Sequence, residues 1–260
     1  MQNHQHRNKI NFNLHIENTI AKTIRIKNAL FNFCKNTYGI NTKKRQNLYK
    51  GLIRPQLTYG SEIWFKHITK KQVKKLESAQ HTILRHSIMG YRTISKACTT
   101  LLTKIEPLSD NILIKQTKFL HRHNITLETL HNTTIEHFIE TTKQNAMTLA
   151  HQSTNETFKE FFPLPNIPKF IHIDFITTQF YTGHGNFQEY LHRFQITNTN
   201  TCTCTNHHTV QNVKHLLLYC TNYTNIRTQL NLGNITSLDN FTQNKHIHSK
   251  FKFLCKHIYN

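Results

Sequence analysis

Apolar residues recur at helical spacing through the first two-thirds of the chain. In residues 14–36, Ile16, Ile20 and Ile24 fall at i, i+4 and i+8, and Leu30, Phe31 and Cys34 continue the face. Lys22, Arg25 and Lys27 lie between them. The pattern predicts a helix that is apolar on one side and basic over much of the rest, stopping at Gly39. A second helix is expected over 42–53, closing before Pro55.

The clearest periodicity is TKKQVKKLESAQHTILRHSIMG. Thr69 can cap its N-terminus, and Gln72 three residues later completes a capping box. Val73, Leu76, Ile83, Leu84 and Ile88 form the apolar stripe, and Gly90 suits the C-terminal stop. Ser95 and Ser109 open two further helices, divided by Pro107. Three prolines then interrupt helical spacing in FFPLPNIPKF, residues 161–170, which marks the main boundary. Beyond it, Gly183-His184-Gly185 has the chemistry of a turn, and a short helix carries Phe187, Tyr190, Leu191 and Phe194. The fold class expected is mainly α, with a helical region followed by a small cysteine-containing module.

Charge narrows the functions open to such a chain. Its 260 residues hold 33 Lys and Arg against 13 Asp and Glu, a formal charge of +20. Unpartnered like charges repel in the compact state, so a surplus of this size calls for a polyanionic partner. The positive residues are spread along the chain instead of gathered in one amphipathic stretch, which points to nucleic acid over a membrane surface. No run of about 18 apolar residues occurs, and the N-terminal MQNHQHRNKI lacks the apolar centre of a signal peptide. No membrane span is expected. Only 37% of the chain is hydrophobic, yet 17 Phe and 9 Tyr supply apolar mass for a modest core.

Lys70, Lys71, Lys74, Lys75 and Arg85 occupy much of the surface of the 70–87 helix. Lys115, Lys118 and Arg122, three and four residues apart, share a face of a later one. With Arg92, these are the candidate phosphate contacts; the competing reading is a solvated helix face. Cys34, Cys98 and Cys255 are scattered, whereas Cys202, Cys204 and Cys220 are clustered. That usage fits a reducing compartment and a metal site better than a disulfide framework. Zinc takes four nitrogen or sulfur ligands in a tetrahedron. Cys202 and Cys204 make one pair, and His215 and Cys220 a second, reading C-x-C-x10-H-x4-C. The first spacing is tighter than the usual two intervening residues, and His207 or His208 can replace His215 on spacing alone.

LYKGLIRPQLTYGSEIW, residues 48–64, resembles the segment downstream of the palm in reverse transcriptases of jockey-like non-LTR retrotransposons. Arg54, Pro55, Leu57, Tyr59, Gly60 and Trp64 carry that likeness. Residues 76–108 resemble the next block of the family through Gly90, Tyr91, Arg92, Thr93, Ser95, Pro107 and Leu108. TQFYTGHGNFQEYLHRF is similar to the family's Thr-Gly-His-Gly block, and the cysteine cluster falls where the family keeps a C-terminal Cys-Cys-His-Cys zinc knuckle, with Arg227 following.

The resemblance implies a post-palm, thumb-like helical region over 1–108, a helical linker over 109–168, the Thr-Gly-His-Gly segment and knuckle over 169–227, and a tail over 228–260. It selects His215 over His207 and His208, so the implied structural Zn2+ ligands are Cys202, Cys204, His215 and Cys220. It also makes Gly183, His184 and Gly185 structural, the imidazole being able to satisfy buried carbonyls. The implied partners are RNA or DNA and the palm domain of a parent reverse transcriptase, with Tyr219 and Tyr223 near the knuckle as candidate base-stacking rings. Polymerases hold two metal ions on paired aspartates, and no two of the 13 acids here are adjacent. The expected product is therefore a nucleic-acid-binding fragment that does not polymerise by itself, acting in the cytoplasm or nucleus. The alternative is a decayed copy whose charge records descent alone.

Overall fold

Helices make up most of a computed structural model that describes residues 12–31, 40–125, 134–204 and 209–259. Gly39, Cys34, His207 and His208 lie outside the described residues. Among the described residues, β pairing is limited to one antiparallel bridge, Thr201 to Val210.

The first buried cluster gathers α1 (Asn13–Phe31), the helical stretch 42–57, α5 (Lys70–Ser87) and the start of α7 (Leu108–Arg122). Ile16, Tyr49, Ile53, Leu57, Trp64, Leu76, Ile83 and Ile112 form its centre. In α1 the apolar face turns out differently from the spacing. Ile24 is 40% exposed, and Thr23 is fully buried with its hydroxyl donated to the Thr19 carbonyl at 2.7 Å. Eight residues overshoot whole turns by about 80°, whereas seven fall only about 20° short, so position 23 stays under Ile16 and position 24 does not.

Pro55 also departs from expectation, because the helix continues through it. α2 (Thr42–Leu48) widens into a π-turn over Tyr49–Ile53 and resumes as α3 (Arg54–Leu57). The Arg54 amide reaches back five residues to the Tyr49 carbonyl. Widening the turn ahead of Pro55 accommodates a ring that would clash with the preceding turn and a nitrogen that cannot donate.

A left-handed Gly60, φ 64°, then starts α4 (Ser61–Trp64). The buried Trp64 indole N–H donates to the Tyr59 carbonyl at 2.8 Å, while the Tyr59 ring is exposed. α5 has the capping box its sequence predicts: the Gln72 amide donates to Thr69 Oγ1 at 3.3 Å, and Gln72 Oε1 accepts from the Thr69 amide at 2.6 Å. The stop comes one residue earlier than expected. Met89, φ 56°, takes the left-handed position, and the Gly90 amide donates to the Arg85 carbonyl at 2.9 Å.

α6 (Lys96–Thr103) is capped by Ser95, whose Oγ accepts from the Cys98 amide at 3.1 Å. α7 begins at Leu108, ahead of Ser109. The Ser109 hydroxyl is committed elsewhere, donating to Glu77 Oε1 at 2.7 Å, so it does not cap.

The second cluster draws Cys98 and Leu101 from α6, Phe158 and Phe161 from α9 (Glu156–Phe161), and Phe180 and Tyr181 from α10 (Phe175–Thr182). α8 (Ile135–Gln152) packs against α6 and α7. Pro163 and Pro165 lie between α9 and α10, and this one cluster takes side chains from both sides of them. α11 (Gln188–Arg193), α12 (Thr224–Gln229) and α13 (Lys245–Tyr259) complete it, with Phe251, Leu254 and Cys255 of α13 fully buried.

The Arg-Pro motif is tied to α5 and α7 by a polar network. Arg54 Nη1 lies 3.1 Å from Glu106 Oε1, which also accepts from Asn111 Nδ2 at 2.7 Å. Gln80 Nε2 donates to the Glu106 carbonyl and to the Tyr49 hydroxyl, each at 3.0 Å. Glu106 is 8% exposed, so losing its cation leaves a poorly hydrated carboxylate. Arg54→Met is expected to cost about 1–3 kcal/mol, read as a lower urea midpoint at unchanged m-value. An unchanged midpoint would show that Asn111 alone satisfies Glu106.

Candidate metal centre

Two short backbone devices bring the clustered cysteines and His215 together. The first is the bridge at Thr201 and Val210, where the Cys202 amide donates to the Thr209 carbonyl and the Gln211 amide to the Asn200 carbonyl, both at 2.8 Å. It folds the segment bearing Cys202 and Cys204 against the approach to His215. The second is a π-turn over His215–Tyr219, started by Asn212 Oδ1 accepting from the His215 amide at 2.9 Å. It closes with the Cys220 amide donating to the His215 carbonyl at 2.7 Å. The H-x4-C spacing is one such turn: the five-residue hydrogen bond returns Cys220 alongside His215.

The four side chains converge in the interior. Cys202 Sγ and Cys220 Sγ are 3.7 Å apart, and Cys204 Sγ lies 3.4 Å from His215 Nε2. All four donor atoms lie within 4.8 Å of one another, and all four residues are buried. A tetrahedral ion with Zn–S near 2.3 Å and Zn–N near 2.05 Å requires edges of about 3.8 Å and about 3.6 Å. The donor set can therefore hold a metal ion with little rearrangement. Its electrostatics agree. Burial, with the neighbouring thiols, pushes the Cys220 thiol up to about 12, and burial followed by Arg227 lowers His215. Packing three thiols in one buried site is costly once they ionise, and a dication offsets that cost by stabilising thiolates.

The surrounding residues orient the ligands. Gln211 Nε2 points at Cys202 Sγ from 3.8 Å, and its Oε1 accepts from the Gln188 amide at 3.1 Å, capping the start of α11. Arg227 is buried, donating through Nη2 to the Cys220 carbonyl at 2.7 Å and to Thr224 Oγ1 at 3.1 Å. A dication held by three thiolates and an imidazole carries a net negative charge, which the Arg227 guanidinium opposes. Neither role is visible in spacing alone. Gln211 is one polar residue among many, and Arg227 follows the cluster without indicating that it folds back.

The Thr-Gly-His-Gly turn leads into α11, whose first amide Gln211 holds. Gly183, φ 67°, ends α10, and a Cβ on Gly185 would overlap the Gln179 side chain. His184 bonds a hydroxyl where a buried carbonyl was expected. Its Nδ1 lies 2.9 Å from Thr93 Oγ1, which lies 2.7 Å from the Tyr190 hydroxyl. That chain joins the Tyr91-Arg92-Thr93 stretch to α11. Burial, then the Arg193 charge, depresses His184 to about 4.

The candidate phosphate contacts separate into two groups. Lys115 is tied down, 3.0 Å from Glu62 Oε1 and 2.7 Å from the Thr58 carbonyl. Lys75 pairs with Glu17 at 3.0 Å, and Arg85 Nη1 reaches the Gly90 carbonyl at 3.4 Å. Lys70, Lys71, Lys74, Arg92, Lys118 and Arg122 are exposed, and among the described residues none is in an ion pair. Arg92 sits near enough to Arg85 to depress that guanidinium further, after burial.

Comparison with known proteins points one way. The chain is 25% identical over 209 residues to a Pol polyprotein of the type-1 retrotransposable element R1 4 of Nasonia vitripennis, covering 74% of this chain and 52% of that relative. It is 23% identical over 244 residues to a 115 kDa protein of the type-1 retrotransposable element R1DM of Drosophila melanogaster, covering 85% of this chain and 23% of that relative. Its relatives are retrotransposon proteins. The chain thus spans about half the length of one curated relative and about a quarter of the other. No protein-family profile and no solved structure matches it. Among the described residues no helix is long and apolar enough to cross a membrane.

The depressed His184 sets a pH dependence. The unfolded imidazole takes up its proton near pH 6.5 and the folded one only near 4, so the unfolded state binds more protons between those values. This contribution to stability is complete above the unfolded value and is lost as pH falls toward 4. His184→Gln, which loses the Thr93 contact but does not titrate, should melt below wild type at pH 7.5. The difference should shrink by pH 4.5, as measured by paired thermal melts.

Proposed function

We propose that this chain is a nucleic-acid-binding portion of a retrotransposon reverse transcriptase polyprotein, folded in part around a structural zinc ion of the knuckle type. The observation that carries the reading is the convergence of Cys202, Cys204, His215 and Cys220 at tetrahedral spacing in a chain of charge +20. Three thiolates and one imidazole are a soft, closed donor set, suited to a zinc ion that organises backbone and leaves no position open for substrate. The similarity to Pol and other R1 element proteins supplies the context.

In this reading, residues 1–108 act as a thumb-like region, 109–168 as a linker, and 169–227 as the knuckle with its supporting turn. The exposed cations Lys70, Lys71 and Lys74 of α5, with Arg92, Lys118 and Arg122, grip the phosphates of template RNA or target DNA. Polymerisation belongs to a palm elsewhere in the parent, since this sequence has no adjacent acidic pair to hold two metal ions. Such a protein works in the cytoplasm and in the nucleus.

Purified chain should hold one equivalent of zinc by mass spectrometry. Cys204→Ser or Cys220→Ser should lose it and melt at lower temperature, as should wild type treated with chelator. Metal-free protein with an unchanged melt would overturn the zinc assignment and favour a decayed copy. If five or more phosphates are neutralised, log affinity for RNA should fall against log salt with a slope of about −4. A flat response would overturn the nucleic-acid reading.

A further inference from the structure

The C-terminal helix has an outer face that the zinc centre and the basic helices of the first cluster leave unexplained. α13 buries His248, Phe251, Leu254 and Cys255 against the second cluster. At about 100° per residue, the direction opposite that buried side is occupied by Phe253. Its side chain is 56% exposed, unlike the buried Phe251 two positions earlier. One turn away on either side, at i−3 and i+3, stand Lys250 and Lys256, with exposed His257 at i+4. Residues 245–260 contain no Asp or Glu. Lys252, on the flank, is paired with Asp174 at 3.1 Å, whereas Lys250 and Lys256 are in none of the ion pairs among the described residues. This face adjoins the metal centre: α13 packs against the His215–Tyr219 turn, and the His257 ring meets that of Tyr223 edge-on at 6.3 Å.

We propose that the outer face of α13 is a binding site for single-stranded nucleic acid, in which an unpaired base stacks on Phe253 while Lys250 and Lys256 hold the flanking phosphates. The inference rests on the reading that the chain binds nucleic acid, and adds to it a place and a strand state. An exposed ring between two lysines fits a base and its two phosphates together. A duplex, whose bases are already stacked, leaves the ring without a partner. With no acid on α13 itself and the flanking Asp174 already paired with Lys252, the face repels a basic protein partner.

The test uses the zinc-loaded full chain and fluorescein-labelled 12-mers of U, of dT, and of duplex DNA, followed by anisotropy. Phe253→Ala and Phe253→Leu should each weaken binding to the single strands by roughly 5- to 150-fold, the range for one stacked base. Phe253→Trp should retain it. Lys250→Ala with Lys256→Ala should make the single-strand salt slope shallower by about 1.4, two contacts at about 0.7 each. Duplex affinity should be unchanged in Phe253→Leu. Phe253 and Lys256 are exposed and Lys250 is half-buried, so zinc content and melting temperature report whether each variant is folded. Wild type that binds with a salt slope, together with Phe253→Leu and Lys250→Ala/Lys256→Ala variants that bind equally well, would overturn this site and leave the general function standing. Wild type that binds no nucleic acid would overturn both. Phe253→Ala that loses binding only to phosphatidylserine vesicles would overturn the site in favour of a membrane surface.

Discussion

Phe251 is the packing contact on which the second half of the structure depends. Its ring lies 5.6 Å from that of Phe161, 5.5 Å from Tyr181, 5.1 Å from Phe241 and 6.4 Å from Phe180. Those rings come from α9, α10 and the turn before α13, so one side chain of α13 holds together segments far apart in sequence. Buried aromatic area is a large favourable term in a chain that is only 37% hydrophobic. A chain with so little apolar mass gains most from side chains that bury this much area at one point.

The same economy explains how the positive charge is arranged. The 33 Lys and Arg cannot all be neutralised by 13 acids, and the acids are placed selectively. Glu106 holds Arg54 at the joint between the Arg-Pro motif and α7, Glu62 holds Lys115, and Asp174 both caps α10 and pairs with Lys252. These pairs brace the places where helices meet. The outer faces of α5, α7 and α13 keep their cations free, so the unpaired charge collects on surfaces that fold around nothing else in the chain.

Gln211 ties the cysteine-bearing segment to α11, and the His184–Thr93–Tyr190 chain ties α11 and the glycine turn to the stretch after α5. Gln211 faces Cys202 Sγ and caps α11, while His184 crosses from the glycine turn to Thr93, 91 residues earlier. Both act from partly buried or exposed positions, and each reaches its partners through a side chain instead of through regular secondary structure. The Thr-Gly-His-Gly turn therefore acts as a hydrogen-bonding clamp, with its glycines allowing the left-handed end of α10 and the close approach to Gln179.

Features that depend on neighbours a few residues away are legible in the amino-acid order. The helical character, the capping box at Thr69 and Gln72, the cap at Ser95 and the candidacy of Cys202, Cys204 and Cys220 follow from local spacing, whereas His215 is singled out from His207 and His208 by the family resemblance. Tertiary structure decided whatever depends on a partner far along the chain. Ser109 gives its hydroxyl to Glu77 and so does not cap, Lys115 is drawn to Glu62, and Thr23 replaces Ile24 under the core. The helix passes through Pro55 because a π-turn absorbs the missing hydrogen bond. Arg227 and Gln211 meet Cys220 and Cys202 because the bridge at Thr201 and the turn at His215 bring those residues within reach. Local spacing fixes direction around one helix, whereas a buried hydrogen bond or ion pair is chosen by what else reaches the same point in space.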